Sequence, residues 1–193
     1  RGKRGHARAI IARSAILSRV AAPAEPIRSS SNPLLKRVRA AAAGRGEGEI
    51  LLEGDRLVDD ARKAGLELTA VLVAERRGER LAELLRAGLP ARAVADELLS
   101  SASALESSPG CLALARTPAA RAPEELPDAP DALVVVAAGI QDPGNLGALA
   151  RTAEAAGAHA LGVTTGGCRP WNPKALRGSM GSLLRLPVFE LEP

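Results

Sequence analysis

The feature that most constrains this sequence is an apolar run, Leu133-Val134-Val135-Val136-Ala137, which breaks into a glycine-bearing turn at 139–147. A helical stretch follows over 148–156, closed by Gly157. Unbroken β-branched residues suit a strand buried on both faces of a parallel sheet. A strand, a glycine turn and a helix start, in that order, make a cradle for an anion or cofactor, because the first helical N–H groups lack intrahelical partners. Two familiar versions of this cradle fail on their residues. There is no G-x-G-x-x-G, so the dinucleotide fingerprint is absent. Gly139 and Gly144 have P-loop spacing, but Asn145-Leu146 stands where Lys and Ser/Thr must hold phosphate and magnesium, which excludes a nucleotide triphosphatase. Leu146, Leu149, Ala150 and Ala153 fall on the side of the helix that packs on the sheet. Arg151 falls on the polar side, free to meet a ligand, although an arginine so placed is commonly just solvated surface.

Upstream, Asn32-Pro33 reads as a helix start, with a side-chain cap before the one residue whose missing N–H costs nothing there. Strands are expected at 50–52, 68–73, 91–94 and 111–115, alternating with helices over 33–44, 55–64, about 81–88 and from Asp96. That alternation implies an α/β layer domain over 27–115. Four prolines (Pro118, Pro123, Pro127, Pro130) without apolar periodicity mark 116–131 as a linker. A second domain is expected over 132–193.

The net charge is only +4, but up to Arg45 the chain carries eleven Lys/Arg against Glu25 alone. That asymmetry suggests a polyanionic partner, with residues 1–26 a basic, disordered tail. Its composition loosely resembles an organellar transit peptide, a reading that ranks below the simple tail. Trp171 and Phe189 are the only aromatics, so a base-stacking platform is not expected to be the means of binding. Cys111 and Cys168 belong to no metal or disulfide pattern, which fits a reducing cytoplasm, and no metal site is expected. His6 and His159 lack paired carboxylates or ligand spacing. No apolar run reaches the roughly 20 residues needed to span a bilayer, so no membrane role is expected.

The string DPGNLGALARTAEAAGA over 142–158 closely resembles the first motif of the SpoU-type RNA 2′-O-ribose methyltransferases of the SPOUT superfamily. NPKALRGSMGSLLRLPV over 172–188 is similar to the segment these enzymes carry after their second catalytic-domain strand. IRSSSNPLLK (27–36), LEGDRLV (52–58) and SPGCLA (108–113) are similar to the family's N-terminal substrate-binding domain. The resemblance implies an α/β fold made of an L30e-like α/β/α domain and the first half of an α/β-knot (SPOUT) domain. It further implies S-adenosylmethionine as cofactor, RNA as partner, with ribosomal RNA favoured over transfer RNA, and a homodimer.

The matching positions make Asn145 and Arg151 the catalytic candidates. A guanidinium is too basic to be an ordinary proton acceptor, but it suits gripping RNA phosphate so that the 2′-oxygen is aligned. Asn32, Lys36, Arg37, Arg56 and Arg177 are the RNA-binding candidates, while Arg177 and Arg185 could equally decorate a helix that Gly178, Ser179 and Gly181 allow to pack closely. Glu53 is expected either to function or to brace the Gly54 turn beside Asp55. The family's sequences continue past the position equivalent to Pro193 with a glycine-and-glutamate loop and a serine/asparagine motif. The main cofactor-binding segments are therefore expected beyond Pro193, and no cofactor-binding residue is assigned within 1–193. The strand at 188–191 is then expected to leave an uncovered sheet edge and weak cofactor binding. The alternative function is a non-catalytic, structured-RNA-binding relative.

Overall fold

Helix α1 (Pro33–Ala42) begins where the cap-and-proline signal places it, with Asn32 Oδ1 accepting from the Leu34 N–H at 2.9 Å. In the computed structural model, which describes residues 24–119, 121–126 and 128–192, the chain continues through β1 (Glu49–Glu53), α2 (Asp55–Lys63) and β2 (Leu68–Ala74). Then come α3 (Gly78–Arg86), β3 (Ala91–Val94), α4 (Asp96–Ala102) and β4 (Cys111–Arg116). The four strands form one mixed sheet in the order β1-β4-β2-β3, in which only β2 and β3 run parallel.

Because successive side chains of a strand point to opposite faces, each strand feeds two cores. Leu51, Leu72, Leu112 and Leu114 pack with Leu35, Val38 and Leu99 of α1 and α4. Ile50, Leu52, Val71, Val73 and Ala113 pack with Leu57, Val58 and Leu84 of α2 and α3. Full burial of one such leucine stabilises the fold by about 2 kcal/mol, so aliphatics alone hold a three-layer arrangement almost without aromatics.

The second sheet is wholly parallel, in the order β5-β6-β7. Its elements are β5 (Val134–Ala137), α5 (Pro143–Ala155), β6 (Ala160–Thr164), α6 (Pro173–Gly178), α7 (Ser182–Arg185) and β7 (Val188–Leu191). Two expectations need correction. Helix α5 starts at Pro143, within the glycine turn, because Asp142 caps it. Strand β5 is not buried on both faces: among the described residues it pairs only with β6, and Leu133 just before it and Val136 within it remain 43% and 50% exposed. An apolar run cannot by itself distinguish an edge position from a central one.

The connecting stretch carries a 3-10 turn at Pro123–Glu125, and Arg121 bridges to Phe189 of β7. The two sheets share a core, since Leu146 and Ala150 of α5, Leu176 of α6 and Leu183 of α7 join the cluster that holds Ile50 and Leu52 of β1. The basic tail and His6, apart from Ala24 to Pro26 of that tail, lie outside the described residues. Pro193, the residue past which the main cofactor-binding segments are expected, lies outside them as well, so that expectation is neither supported nor opposed by the fold. No helix among the described residues is long and apolar enough to cross a membrane.

Candidate active site

The glycine turn after β5 is organised by Asp142. Its Oδ1 accepts from the Asn145 N–H at 3.0 Å, and its Oδ2 takes Lys174 Nζ at 2.6 Å. The Lys174 ammonium, and then the Asn145 N–H, hold the Asp142 carboxyl below its usual range. Asn145 is thereby fixed as an exposed residue in the first turn of α5.

Arg151 lies on the same helix, about 9 Å further along its axis, exposed to solvent. The buried residues of α5 are Leu146, Gly147, Ala150 and Ala153, so Arg151 sits off the packed stripe as expected. Its Nη1 touches Met180 Sδ at 3.3 Å. Met180 is held at φ 51° and Gly181 follows at φ 87°. This left-handed pair separates α6 from α7, and for a non-glycine residue such a conformation costs about 1 kcal/mol. Asn145 and Arg151 make no hydrogen bond to each other among the described contacts; the helix relates them without joining them.

Helices α5 and α6 meet backbone to backbone. A Cβ on Gly147 would lie 2.5 Å from the Ala175 carbonyl oxygen and 2.7 Å from the Ser179 nitrogen. Absence of a side chain at Gly147 therefore sets the spacing between the helix bearing Asn145 and Arg151 and the helix bearing Arg177.

The cations of this part of the chain are not equivalent. Residues 132–192 contain Arg151, Arg169, Lys174, Arg177 and Arg185. Lys174 pairs with Asp142, Arg177 with Glu53, and Arg185 with both Glu154 and Asp60. Arg151 and Arg169 have no carboxylate partner among the described residues. Near Arg169, a cleft of about 840 Å³ opens at the carboxyl ends of β5 and β6, lined among others by Gln141, Thr164, Trp171 and Glu190. Ligands of parallel α/β sheets gather at that end of the strands.

The remaining candidates are dispersed. Asn32 spends its side chain capping α1. Lys36 is exposed on that helix. Arg37 is tied to Glu49 through Nε at 3.0 Å and Nη2 at 2.5 Å. Arg56 is 66% exposed, with Asp60 at 3.9 Å. It sits on α2, across the sheet from α1, so the structure does not unite it with Lys36 and Arg37. Arg177 is not on a free surface: its Nη1 lies 2.6 Å from Glu53 Oε2, a side chain with no exposure. Glu53 therefore reaches across to α6 instead of bracing the Gly54 turn. Sequence reasoning missed Asp142, Lys174 and Met180. For Asp142 the signal was present, since Asp142-Pro143 repeats the cap-and-proline pattern of Asn32-Pro33. His159 has a structural task, its Nδ1 accepting from the Leu133 N–H at 3.2 Å.

A mixed sheet joined to a parallel one, whose Asp142-capped helix presents an exposed arginine, defines a two-part α/β chain with the fold of the SPOUT methyltransferases. Residues 132–192 match the model of the SpoU rRNA Methylase family, and that segment belongs to the family. It is 32% identical over 138 residues to the 23S rRNA (guanosine(2553)-2′-O)-methyltransferase RlmP of Bacillus subtilis, covering 72% of this chain and 52% of that protein. The crystal structure of an RNA 2′-O ribose methyltransferase superposes with a TM-score of 0.71 at 35% identity, over 87% of this chain and 66% of the other. The SpoU methyltransferase AviRb of Streptomyces viridochromogenes, solved in complex with AdoMet, gives a TM-score of 0.72 at 28% identity, over 84% and 64%. The chain spans about half the length of the curated relatives it matches.

Proposed function

We propose that this chain serves the methylation of a ribose 2′-hydroxyl in RNA, ribosomal RNA before transfer RNA, with S-adenosylmethionine as methyl donor. In this reading 27–115 holds the RNA, 116–131 connects, and 132–193 presents the reacting groups. The observation that carries it is the state of Arg151: exposed, without a carboxylate partner among the described residues, and fixed on a helix inside the matched family segment. A guanidinium so placed can donate bidentately to RNA phosphate without first giving up an ion pair. That grip orients the ribose, and orientation is a substantial part of what a protein contributes to a displacement between two bound reactants. Asn145, held by the Asp142 cap, offers an amide that can donate to a ribose oxygen and accept from a hydroxyl.

S-adenosylmethionine supplies an electrophilic methyl on a sulfonium. The described residues do not enclose it by themselves: the outer edge of β5 leaves Leu133 and Val136 open, and nothing lies within 4 Å of the position a Cβ would take on Gly139. Lys36 and Arg56 are the freest of the proposed RNA contacts. A homodimer formed through 132–193 and a cytoplasmic location complete the reading; the first is supported by the family, the second by two free cysteines far apart in sequence.

The test is transfer of labelled methyl from S-adenosylmethionine to unmodified RNA by the product of the full reading frame, with Arg151→Ala beside it. Label mapped to a ribose 2′-oxygen and lost in the variant is the expected result. RNA binding without any transfer would overturn the proposal.

A further inference from the structure

Resting on that reading, we propose that Glu53 and Arg177 form a latch that keeps the RNA-holding sheet in register with the Arg151 helix. Both are then positioning residues, and Arg177 is not an RNA contact. Glu53 ends β1 with its side chain wholly buried. One carboxylate oxygen accepts from Ser103 Oγ at 2.7 Å and the Ala104 N–H at 2.9 Å, just after α4. The other accepts from Arg177 Nη1 at 2.6 Å. Three donors from two separate parts of the chain thus converge on one carboxylate, and the only cation among them arrives from the other sheet's layer, 124 residues away. A buried charge is tolerated when it is paired and fully hydrogen-bonded, and becomes costly when its partner leaves. The pair therefore favours one docking of the two parts over others, more than it adds net stability.

From Arg177 the constraint has a short route to the reacting end. Arg177 occupies the last turn of α6, whose backbone lies against Gly147 of α5 without intervening side chains. Three residues later Met180, fixed by the left-handed turn, touches Arg151 Nη1. A shift of α6 relative to β1 must accordingly move both the α5 contact and the sulfur that sets the guanidinium. The second link between the parts, Arg185 Nη1 to Asp60 at 3.1 Å, involves an arginine side chain 39% exposed and is open to solvent screening.

The experiment compares the full reading-frame protein with Glu53→Gln, Arg177→Lys, Arg177→Met and the Glu53→Gln/Arg177→Met double variant. It measures methyl-transfer kinetics on RNA, amide exchange of residues 173–185, and thermal unfolding. A latch predicts that Glu53→Gln and Arg177→Met each lower kcat by about tenfold while the KM for RNA stays within about twofold. The double variant should be no worse than Arg177→Met, and Arg177→Lys should recover to within about threefold. Exchange over 173–185 should quicken in Glu53→Gln at temperatures well below unfolding. If Arg177→Met raises KM and flattens the salt dependence of binding while Glu53→Gln changes neither kcat nor exchange, Arg177 is an RNA contact and the latch is wrong. If the parent protein transfers no methyl, the proposed function fails, yet the latch is still decided. Strongly non-additive melting shifts with faster exchange uphold it; additive shifts with unchanged exchange overturn it. Should Arg177→Met not fold, Glu53→Gln and Arg177→Lys decide by the same exchange readout.

Discussion

Gly147 faces the carbonyl of Ala175 so closely that a Cβ on it would come within 2.5 Å of that oxygen, with the Gly178 carbonyl carbon at 2.8 Å. Backbone cannot move aside as a flexible side chain can, so Gly147→Ala should destabilise the protein by about 2 kcal/mol through overpacking. Melting should fall by roughly 4–8 °C. Gly78→Ala serves as the control: it opens α3 at φ −57° with nothing within 4 Å of the new carbon. There, loss of freedom in the unfolded chain should give a small gain, about 0.5 kcal/mol. Scanning calorimetry of the two variants checks both signs.

Arg151→Ala should lower methyl transfer by about 100-fold, the scale of removing one preorganised donor. Because the side chain is exposed and its hydrogen bond among the described residues is to the Met180 sulfur, stability should stay within about 0.5 kcal/mol of the parent. Activity and unfolding measured on the same preparation separate the two effects.

Lys36 and Arg37 are neighbours in sequence with different duties. Lys36→Ala should weaken RNA binding evenly across sequences and reduce the salt slope by about 1. Arg37→Ala should chiefly lower melting, since it strips Glu49 of the guanidinium that holds its carboxyl below the usual range. RNA titrations at several salt concentrations, with parallel melts, distinguish them.

Acid should loosen the fold through its paired glutamates. Arg185 holds the Glu154 carboxyl, and Arg37 the Glu49 carboxyl, below the ordinary value of 4.5. A depressed folded-state value means that the unfolded chain binds protons first, so this stabilisation is complete above the unfolded value and disappears as pH falls through the folded one. Melting temperature should therefore hold level from neutrality to the neighbourhood of 4.5 and drop below it. In Arg185→Met the neutral plateau should be lower and the acid limb shallower.

The thiols should react in a fixed order. Burial pushes the Cys111 thiol up to about 12, and its accessibility is nil. Cys168 is partly exposed, though burial raises its thiol too. A chromogenic disulfide reagent at mildly alkaline pH should modify Cys168 slowly in the native protein and reach Cys111 only on unfolding.

What the sequence disclosed was whatever local chemistry dictates. The Asn32-Pro33 start, the strand positions of the first sheet and the outward setting of Arg151 all follow from caps and periodicities within a dozen residues. The start of α5 was missed because Gly144 and Gly147 read as loop, although the Asp142 cap outweighs their low helix propensity. The exposure of Val136 depends on which strands flank β5, which alternation within the strand does not encode. The ion pairs were illegible for the same reason: no local pattern connects Glu53 with Arg177 or Asp60 with Arg185, so Arg177, already engaged, was named beside Lys36 and Arg56 as a candidate for RNA. Only packing divides those already engaged from those still available.

The left-handed break at Met180 and Gly181 leaves α6 with 6 residues and α7 with 4. Helices this short cannot nucleate alone in water. Order over 173–185 must then be imposed by surfaces formed earlier, which include strand β1, more than a hundred residues upstream. Contacts that close such long loops form late on the folding path, so weakening them should leave the folding rate nearly unchanged and show itself as faster unfolding. The segment that sets the reach of Arg151 is thus also the one whose release governs how long a folded molecule stays folded.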